Sequence, residues 1–178
     1  MSPEDWAGFG AELTFDESYG ALTVGVAPDA WVDALKFARD DLGFDFFDWL
    51  TGVDELAEGF GIVVHVYAME TRQHLLVRTR VARDDPRLAT ATDVYRGANW
   101  HERETFEMFG VIFDGHPDLK PLLLPDGFEG HPLRKDFVLA ARVAKAWPGA
   151  KEPGEGREGA PSRRKTLPPG VPDGWGTT

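Results

Sequence analysis

The hydrophobic residues of the first half of the chain follow two periods. Four of them recur at i, i+4, i+7 and i+11, as on one face of a helix: Trp31, Leu35, Ala38 and Leu42. Pro28 and Asp29 suit the first turn of that helix, and Gly43 suits its end. Residues 22–26 alternate apolar and small side chains, which predicts a short strand before the helix.

Two β-branched runs of strand length follow at residues 62–67 and 75–81. Their connection is too short for a parallel crossover, so they are predicted to pair as an antiparallel meander. In the second run valine and threonine alternate with arginine, so one side should pack on a helix and the other should face water or a partner. The predicted fold is α+β, with helices packed on one face of a mixed, largely antiparallel sheet, followed by a turn-rich C-terminal segment and an extended tail.

A third periodic stretch predicts a helix over residues 98–109, ended by Gly110. Its apolar residues point in nearly every direction around the axis, which predicts a buried helix: Trp100, Phe106, Met108 and Phe109. Charged residues lie among them: Glu102, Arg103, Glu104 and Glu107. Three consecutive residues sweep about 200° of a helix, so some of these charges are expected to be buried.

Buried charges are tolerated when they are paired or hydrogen-bonded. Arg103 and Glu107 form an i, i+4 pair, and the remaining carboxylates need other donors. Arg134, Lys135 or a basic residue of another chain could supply them. The alternative interpretation is an ordinary solvated run of charges.

Downstream, the triplet Gly-His-Pro occurs at residues 115–117 and again at residues 130–132. Glycine and proline mark turns, and proline drives the preceding histidine into an extended conformation. A turn-rich segment of this length inside a domain is usually functional.

The composition changes near Trp147, because 13 of the 31 residues from Pro148 to Thr178 are proline or glycine. We expect an α+β domain over residues 1–145, with its most informative segment at 100–137, and an extended tail over residues 146–178. The tail is either a flexible linker or a strap that orders on a partner. Its candidate anchors are aromatic or basic: Trp147, Arg163, Arg164, Lys165 and Trp175.

The chain has no cysteine, which excludes disulfides and cysteine-ligated iron–sulfur or zinc sites. Residues 1–144 hold 13 Lys/Arg against 26 Asp/Glu, a formal charge of −13 that argues against binding to nucleic acid or anionic lipid. The sequence has no run long enough for a spanning helix and begins without a secretory pattern. We therefore expect a cytoplasmic location, with membrane contact only through partners.

A metal-dependent enzyme is the competing hypothesis. The candidate ligands are His101, Glu102, Glu104, Glu107, His116 and His131. The spacing argues against it, since Thr105 stands where His-Glu-x-x-His requires its second histidine. The sequence also lacks the fingerprints of serine hydrolases, P-loops and dinucleotide-binding folds. We predict no catalytic, cofactor-binding or metal-binding residues, although a free-standing binding module stays open.

Residues 100–137 resemble the signature of the C subunit of NADH-quinone oxidoreductase, the 30-kDa subunit family of respiratory complex I. The residues that carry the resemblance are Glu102, Arg103, Glu104, Glu107, Gly110, Gly115, His116, Pro117, Asp118, His131, Pro132, Arg134, Lys135 and Asp136.

That resemblance implies a non-catalytic component of the peripheral arm on the cytoplasmic side of the cell membrane. Such a component binds no cofactor, whereas FMN, iron–sulfur clusters and quinone belong to its partners. It implies that this chain braces the neighbouring subunits D, B and I, with the tail lying along the first of these, while the complex carries electrons from NADH to quinone.

Overall fold

The computed structural model describes residues 1–18 and 20–138, so the candidate tail anchors Trp147, Arg163, Arg164, Lys165 and Trp175 lie outside the described residues. Within that part, the strands are β1 (Leu13–Ser18), β2 (Ala21–Val26), β3 (Phe46–Asp54), β4 (Phe60–Ala68), β5 (Gln73–Val81), β6 (Arg87–Ala89) and β7 (Ile112–Asp114). The α-helices are α1 (Trp31–Asp40) and α2 (Ala98–Phe109). Short 3-10 turns occur at Pro3–Trp6, Pro28–Ala30 and Leu56–Glu58.

Five strands form one sheet in the order β1-β2-β5-β4-β3. The β2–β5 pair is parallel and the other pairs are antiparallel, which confirms the predicted mixed, largely antiparallel sheet. The predicted meander is the β4–β5 hairpin, in which Val64 lies opposite Val77. Strands β6 and β7 make a separate parallel pair, so residues 112–114 are not irregular as the turn signals predicted.

One face of the sheet carries the core. Across four strands a single register row, Leu50, Val64, Val77 and Val24, is buried. Helix α1 covers part of this face with the predicted apolar side chains Trp31, Leu35 and Ala38. Helix α2 packs on β3 so closely that a Cβ at Gly52 would lie 2.9 Å from Phe109 and Thr105 side-chain carbons. Both helices therefore lie on one face, as predicted.

Candidate functional site

Helix α2 has the predicted bounds and ends at Gly110, whose φ of 75° is left-handed. Glycine adopts this conformation without a steric penalty, which explains the stop. The turn segment, defined as residues 115–137, then folds back over the C-terminal half of α2. Residues 102, 107 and 131–136 are brought together there with parts of β3 and the loop after β6.

The prediction of a helix buried all around is wrong in detail. Glu102 and Glu107 are buried, Arg103 is half-buried and Glu104 is exposed. Trp100 is 67% exposed, against the expectation that it would be buried. The physical reason is that α2 packs on β3 by one side, and the turn segment covers only part of the other.

The carboxylate of Glu107 is held by backbone N–H groups of the turn segment. Leu122 and Leu123 donate to Oε2 at 3.2 and 2.8 Å, and Leu124 donates to Oε1 at 2.9 Å. Burial raises the pKa of Glu107, but these three donors outweigh it and the net pKa lies below the ordinary value. Glu107 is therefore a buried anion that fixes residues 122–124 against α2.

The carboxyl of Glu102 lies in a different environment, fully buried toward the loop after β6. Its Oε2 accepts from the Thr90 hydroxyl at 2.5 Å, and its Oε1 accepts from the Ala91 N–H at 2.6 Å. Burial dominates and raises the pKa of Glu102 to about 7, with Thr90 and Ala91 opposing the shift. The Glu102 carboxyl thus stays protonated at mildly acidic pH.

His116 lies beside Glu102, with its Nε2 4.0 Å from Oε2, and both side chains are inaccessible to solvent. Its Nδ1 accepts the Asp118 N–H at 3.0 Å, so the proton of the neutral ring belongs on Nε2, which donates to the Asn99 carbonyl at 3.1 Å. The first Gly-His-Pro turn is thereby joined to the first turn of α2.

The second Gly-His-Pro turn caps the other end of α2. His131 Nδ1 donates to the Glu107 carbonyl at 2.8 Å, Leu133 N–H to Met108 at 3.2 Å, and Arg134 Nε to Phe109 at 2.6 Å. These are last-turn carbonyls that lack partners within the helix. The segment from His131 to Arg134 is therefore a C-terminal cap supplied from elsewhere in the chain.

Arg134 and Lys135 do not pair with the carboxylates of α2, so that prediction is wrong. The Arg134 guanidinium lies over the Phe60 ring, 5.0 Å from its centroid, and the Lys135 backbone N–H donates to Asp54 at 2.8 Å. Arg83 bridges Asp54 and Asp136 at 2.7 Å each. Burial raises the pKa of Asp54, but Lys135, Arg83 and Leu56 together hold it below its ordinary value.

The predicted Arg103–Glu107 ion pair is also wrong. Arg103 donates from Nε to the Lys120 carbonyl at 3.0 Å and from Nη2 to the Pro121 carbonyl at 2.8 Å. Arg103 and Glu107 thus hold the same stretch of the turn segment by opposite backbone groups, carbonyls for the cation and N–H groups for the anion.

The remaining signature residues shape the turns. Gly115 has a φ of 84°, and Pro117 follows the turn at the exposed surface. Asp118 pairs with Lys120 at 2.7 Å in solvent. Pro132 is half-buried after Gly130, whose φ is 91°. Together these positions set the course of the backbone that Glu107 and Arg103 bind.

Several residues of the site were missed by sequence reasoning, namely Asp54, Arg83, Thr90 and Ala91. Each lies outside residues 100–137, and two act through a single hydroxyl or a backbone N–H. Of these only the buried Asp54 and its Arg83 partner carry a charge pattern, and their separation along the chain hides the pair.

The chemistry available to this site is structural. The buried carboxyls, the two histidines and both arginines are engaged with named partners inside the chain. Among residues 1–18 and 20–138, no three histidine, aspartate or glutamate side chains converge as metal ligands would. In the same part of the chain, no helix combines the length and apolarity needed to cross a membrane.

Comparisons with known proteins give a consistent picture. Residues 24–143 match the family described as the 30-kDa subunit of respiratory-chain NADH dehydrogenase. The C subunit of NADH-quinone oxidoreductase from Roseiflexus sp. strain RS-1 is 44% identical over 70% of this chain and 74% of its own length. The corresponding protein of Rhodobacter capsulatus is 47% identical over 70% of this chain and 64% of its own length.

Two solved structures share the fold at 28% identity. A trypsin-resistant fragment (1–134) of Nqo5 aligns with a TM-score of 0.55, covering 60% of this chain and 89% of the fragment. A chain of the membrane-bound sulfane sulfur reductase, an archaeal respiratory membrane complex, aligns with a TM-score of 0.69, covering 79% of this chain and 85% of that chain. With the family match over most of the described residues, this chain belongs to the family of the 30-kDa subunit of respiratory-chain NADH dehydrogenase, which includes the C subunits of NADH-quinone oxidoreductase.

Proposed function

We propose that this chain is a non-catalytic structural component of the peripheral arm of a proton-translocating NADH-quinone oxidoreductase. The observation that carries the proposal is the internal use of polar groups in the signature segment. Glu107, Arg103, His131 and Arg134 all bind backbone groups of the same chain, so the segment is built as a rigid shape. A rigid, acidic protein is suited to bracing neighbours in an assembly.

In this proposal FMN, the iron–sulfur clusters and quinone are bound by partners, and this chain supports their assembly. The direct partners are subunits D, B and I, on the cytoplasmic side of the cell membrane. The lack of cysteine in the chain agrees with clusters being held elsewhere. The tail of residues 146–178 is proposed to run along the D subunit, with Trp147 and Trp175 as its aromatic anchors.

Deletion of the gene tests the proposal. Membranes from the deletion strain should lose NADH:quinone oxidoreductase activity, and native gels should show no assembled peripheral arm. Expression of the intact chain in the same strain should restore both measurements, which controls for effects on neighbouring genes. Normal activity together with a normally assembled arm in the deletion strain would refute the structural role.

The electron donor needs its own measurement, because the fold also occurs in a membrane-bound sulfane sulfur reductase. Membranes of the intact strain should reduce quinone with NADH, and this activity should disappear in the deletion strain. If the deletion removes a respiratory activity that does not use NADH, the bracing role stands and the donor assignment is wrong.

A further inference from the structure

Trp100 stands out among the tryptophans of the described residues. Trp6 and Trp31 are buried in the core, whereas Trp100 is 67% exposed on the first turn of α2. An indole is a large, stiff apolar group, and burying it in a matching pocket is a strong contribution to association. Single exposed apolar residues are common on proteins, so further observations have to decide whether this one has a partner.

The first such observation is the charge on either side of Trp100. Arg96 precedes it by four residues and Glu104 follows it by four, so the three side chains form a row along one side of the helix. Arg96 and Glu104 are both exposed. Within the described part of the chain the ion pairs involve other residues. The row thus presents a cation, an indole and an anion in order.

The second observation is a depression beside the indole, with a volume of about 340 Å³. Its floor is held rigidly by contacts to the sheet. His101 Nδ1 donates to the Leu50 carbonyl of β3 at 3.1 Å, and its ring packs 5.4 Å from the Phe47 ring. A Cβ at Gly97 would lie 2.7 Å from Phe47, so this backbone approaches the sheet as closely as it can.

A rigid platform matters because binding then loses little conformational entropy. The Trp100 backbone is fixed on one side by β3 and on the other by His116, which donates to the neighbouring Asn99 carbonyl. Hot spots of protein interfaces are enriched in tryptophan and arginine and are surrounded by polar residues that exclude water. The row Arg96, Trp100 and Glu104 has this composition.

We propose that Trp100 is the central anchor of an interface with a partner protein of the complex, whose matching surface is an apolar pocket with a carboxylate facing Arg96 and a cation facing Glu104. This inference rests on the proposed function, because it assumes an assembled complex. The overall negative charge of the body argues against an anionic lipid surface as the occupant. The order of charges fixes the register in which the two surfaces meet.

The test uses the assembled complex, with variants expressed in the deletion strain. Trp100→Ala should lower retention of this chain in the purified complex, with an affinity loss on the order of 30-fold or more, as for a hot spot. Arg96→Glu and Glu104→Lys should each weaken retention as well. Met69→Ala is the matched control, since Met69 is 58% exposed in the β4–β5 connection and should have no effect.

A photo-crosslinking amino acid at position 100 identifies the occupant. The proposal requires crosslinks in the intact complex to one partner protein, at a site with an acidic and a basic residue flanking apolar ones. Charge reversal of the partner's acidic residue to lysine should restore the Arg96→Glu variant. Analytical ultracentrifugation of the purified full-length chain reports on the alternative occupant, a second copy of itself.

Three results would overturn the proposal: retention of Trp100→Ala equal to that of Met69→Ala, crosslinks only to lipid, or a dimer of the chain that Trp100→Ala dissociates. Melting of purified Trp100→Ala should match the unmodified chain, since the exposed indole supports little of the fold. If the gene deletion abolishes assembly while Trp100→Ala is retained, the anchor is wrong and the structural role stands. If the deletion has no effect, the structural role itself has failed.

Discussion

Glu102 and Glu107 show how two buried carboxyls on one helix acquire opposite properties. Glu107 receives three backbone N–H groups, and its pKa is lowered. Glu102 receives one N–H and one hydroxyl in a fully buried position, and its pKa rises to about 7. The number of donors aimed at each carboxyl decides the direction, because burial raises the pKa of both.

Glu102→Gln is expected to preserve the fold and to remove a pH dependence. The folded protein binds the Glu102 proton more tightly than the unfolded chain, whose pKa is near 4.5. The resulting stability is full below pH 4.5 and is lost as the pH rises to about 7. Urea unfolding at several pH values should show a smaller decline across this window in Glu102→Gln than in the unmodified chain.

Glu104→Gln is the matched control for that measurement, because Glu104 is exposed on the same helix. It should leave the decline between pH 4.5 and 7 unchanged. An identical decline in Glu102→Gln and Glu104→Gln would contradict the assignment of the proton to Glu102.

Glu107→Gln is expected to destabilise the protein by about 2–3 kcal/mol, because an amide NH2 would face backbone N–H donors that now meet a carboxylate oxygen. The same isosteric change is thus tolerated at one buried glutamate and harmful at the other. The free energy of unfolding at pH 7 from urea denaturation measures the difference. In the unmodified chain this contribution is present above the ordinary pKa and is lost as the pH falls below it.

Arg103→Ala has a milder expected effect than the buried pair inferred from sequence would give. Glu107 keeps its three N–H donors, and the variant loses only two hydrogen bonds from a half-buried cation to exposed carbonyls. We expect a loss of about 1–2 kcal/mol in the free energy of unfolding. A loss of about 3–5 kcal/mol, the range for breaking a buried ion pair, would show that the carboxylate depends on Arg103.

At the scale of elements, the junction between α2 and the turn segment depends on a glycine. Gly110→Ala should destabilise the protein by more than about 1 kcal/mol, since the left-handed φ strains any side chain. The added Cβ would also lie 2.6 Å from both Arg134 Nη2 and His131 Nε2, which form the cap. Thermal unfolding of the variant measures the loss.

Gly127→Ala is the control that separates the two causes. Gly127 has a similar φ of 81°, but nothing lies within 4 Å of the position of its Cβ. It should therefore show the strain alone. Equal losses in the two variants would mean that the cap adjusts to a methyl group without cost.

Two strands escaped the sequence analysis for identifiable reasons. Strand β3 contains a bulge at Asp48, so Phe47 and Leu50 both take core-side register positions although they are three residues apart. The bulge breaks the alternation that identifies strands. Strand β1 is an edge strand with a largely polar sequence, and its pairing with β2 supplies what its own pattern lacks.

At the scale of the whole molecule, the core lies within the described residues, and the tail is predicted to serve a partner. Truncation after Trp147 should leave the free energy of unfolding of the body unchanged within about 0.5 kcal/mol. The truncated chain should no longer remain bound to the D subunit in the complex. Unchanged retention would refute the strap, and a large loss of stability would show that the tail belongs to the fold.

The sequence by itself determined the family, the bounds of α2, the amphipathic α1 and the β4–β5 hairpin. These features depend on local periodicity and on glycines at positive φ, which residues close in sequence specify. Only the tertiary structure decided which charges are buried, what satisfies them and why Trp100 faces outward. Glu107 is held by N–H groups 15 to 17 residues away, and Glu102 by a loop 11 to 12 residues before it. Backbone donors carry no side-chain signature, so no pattern along the chain could reveal them.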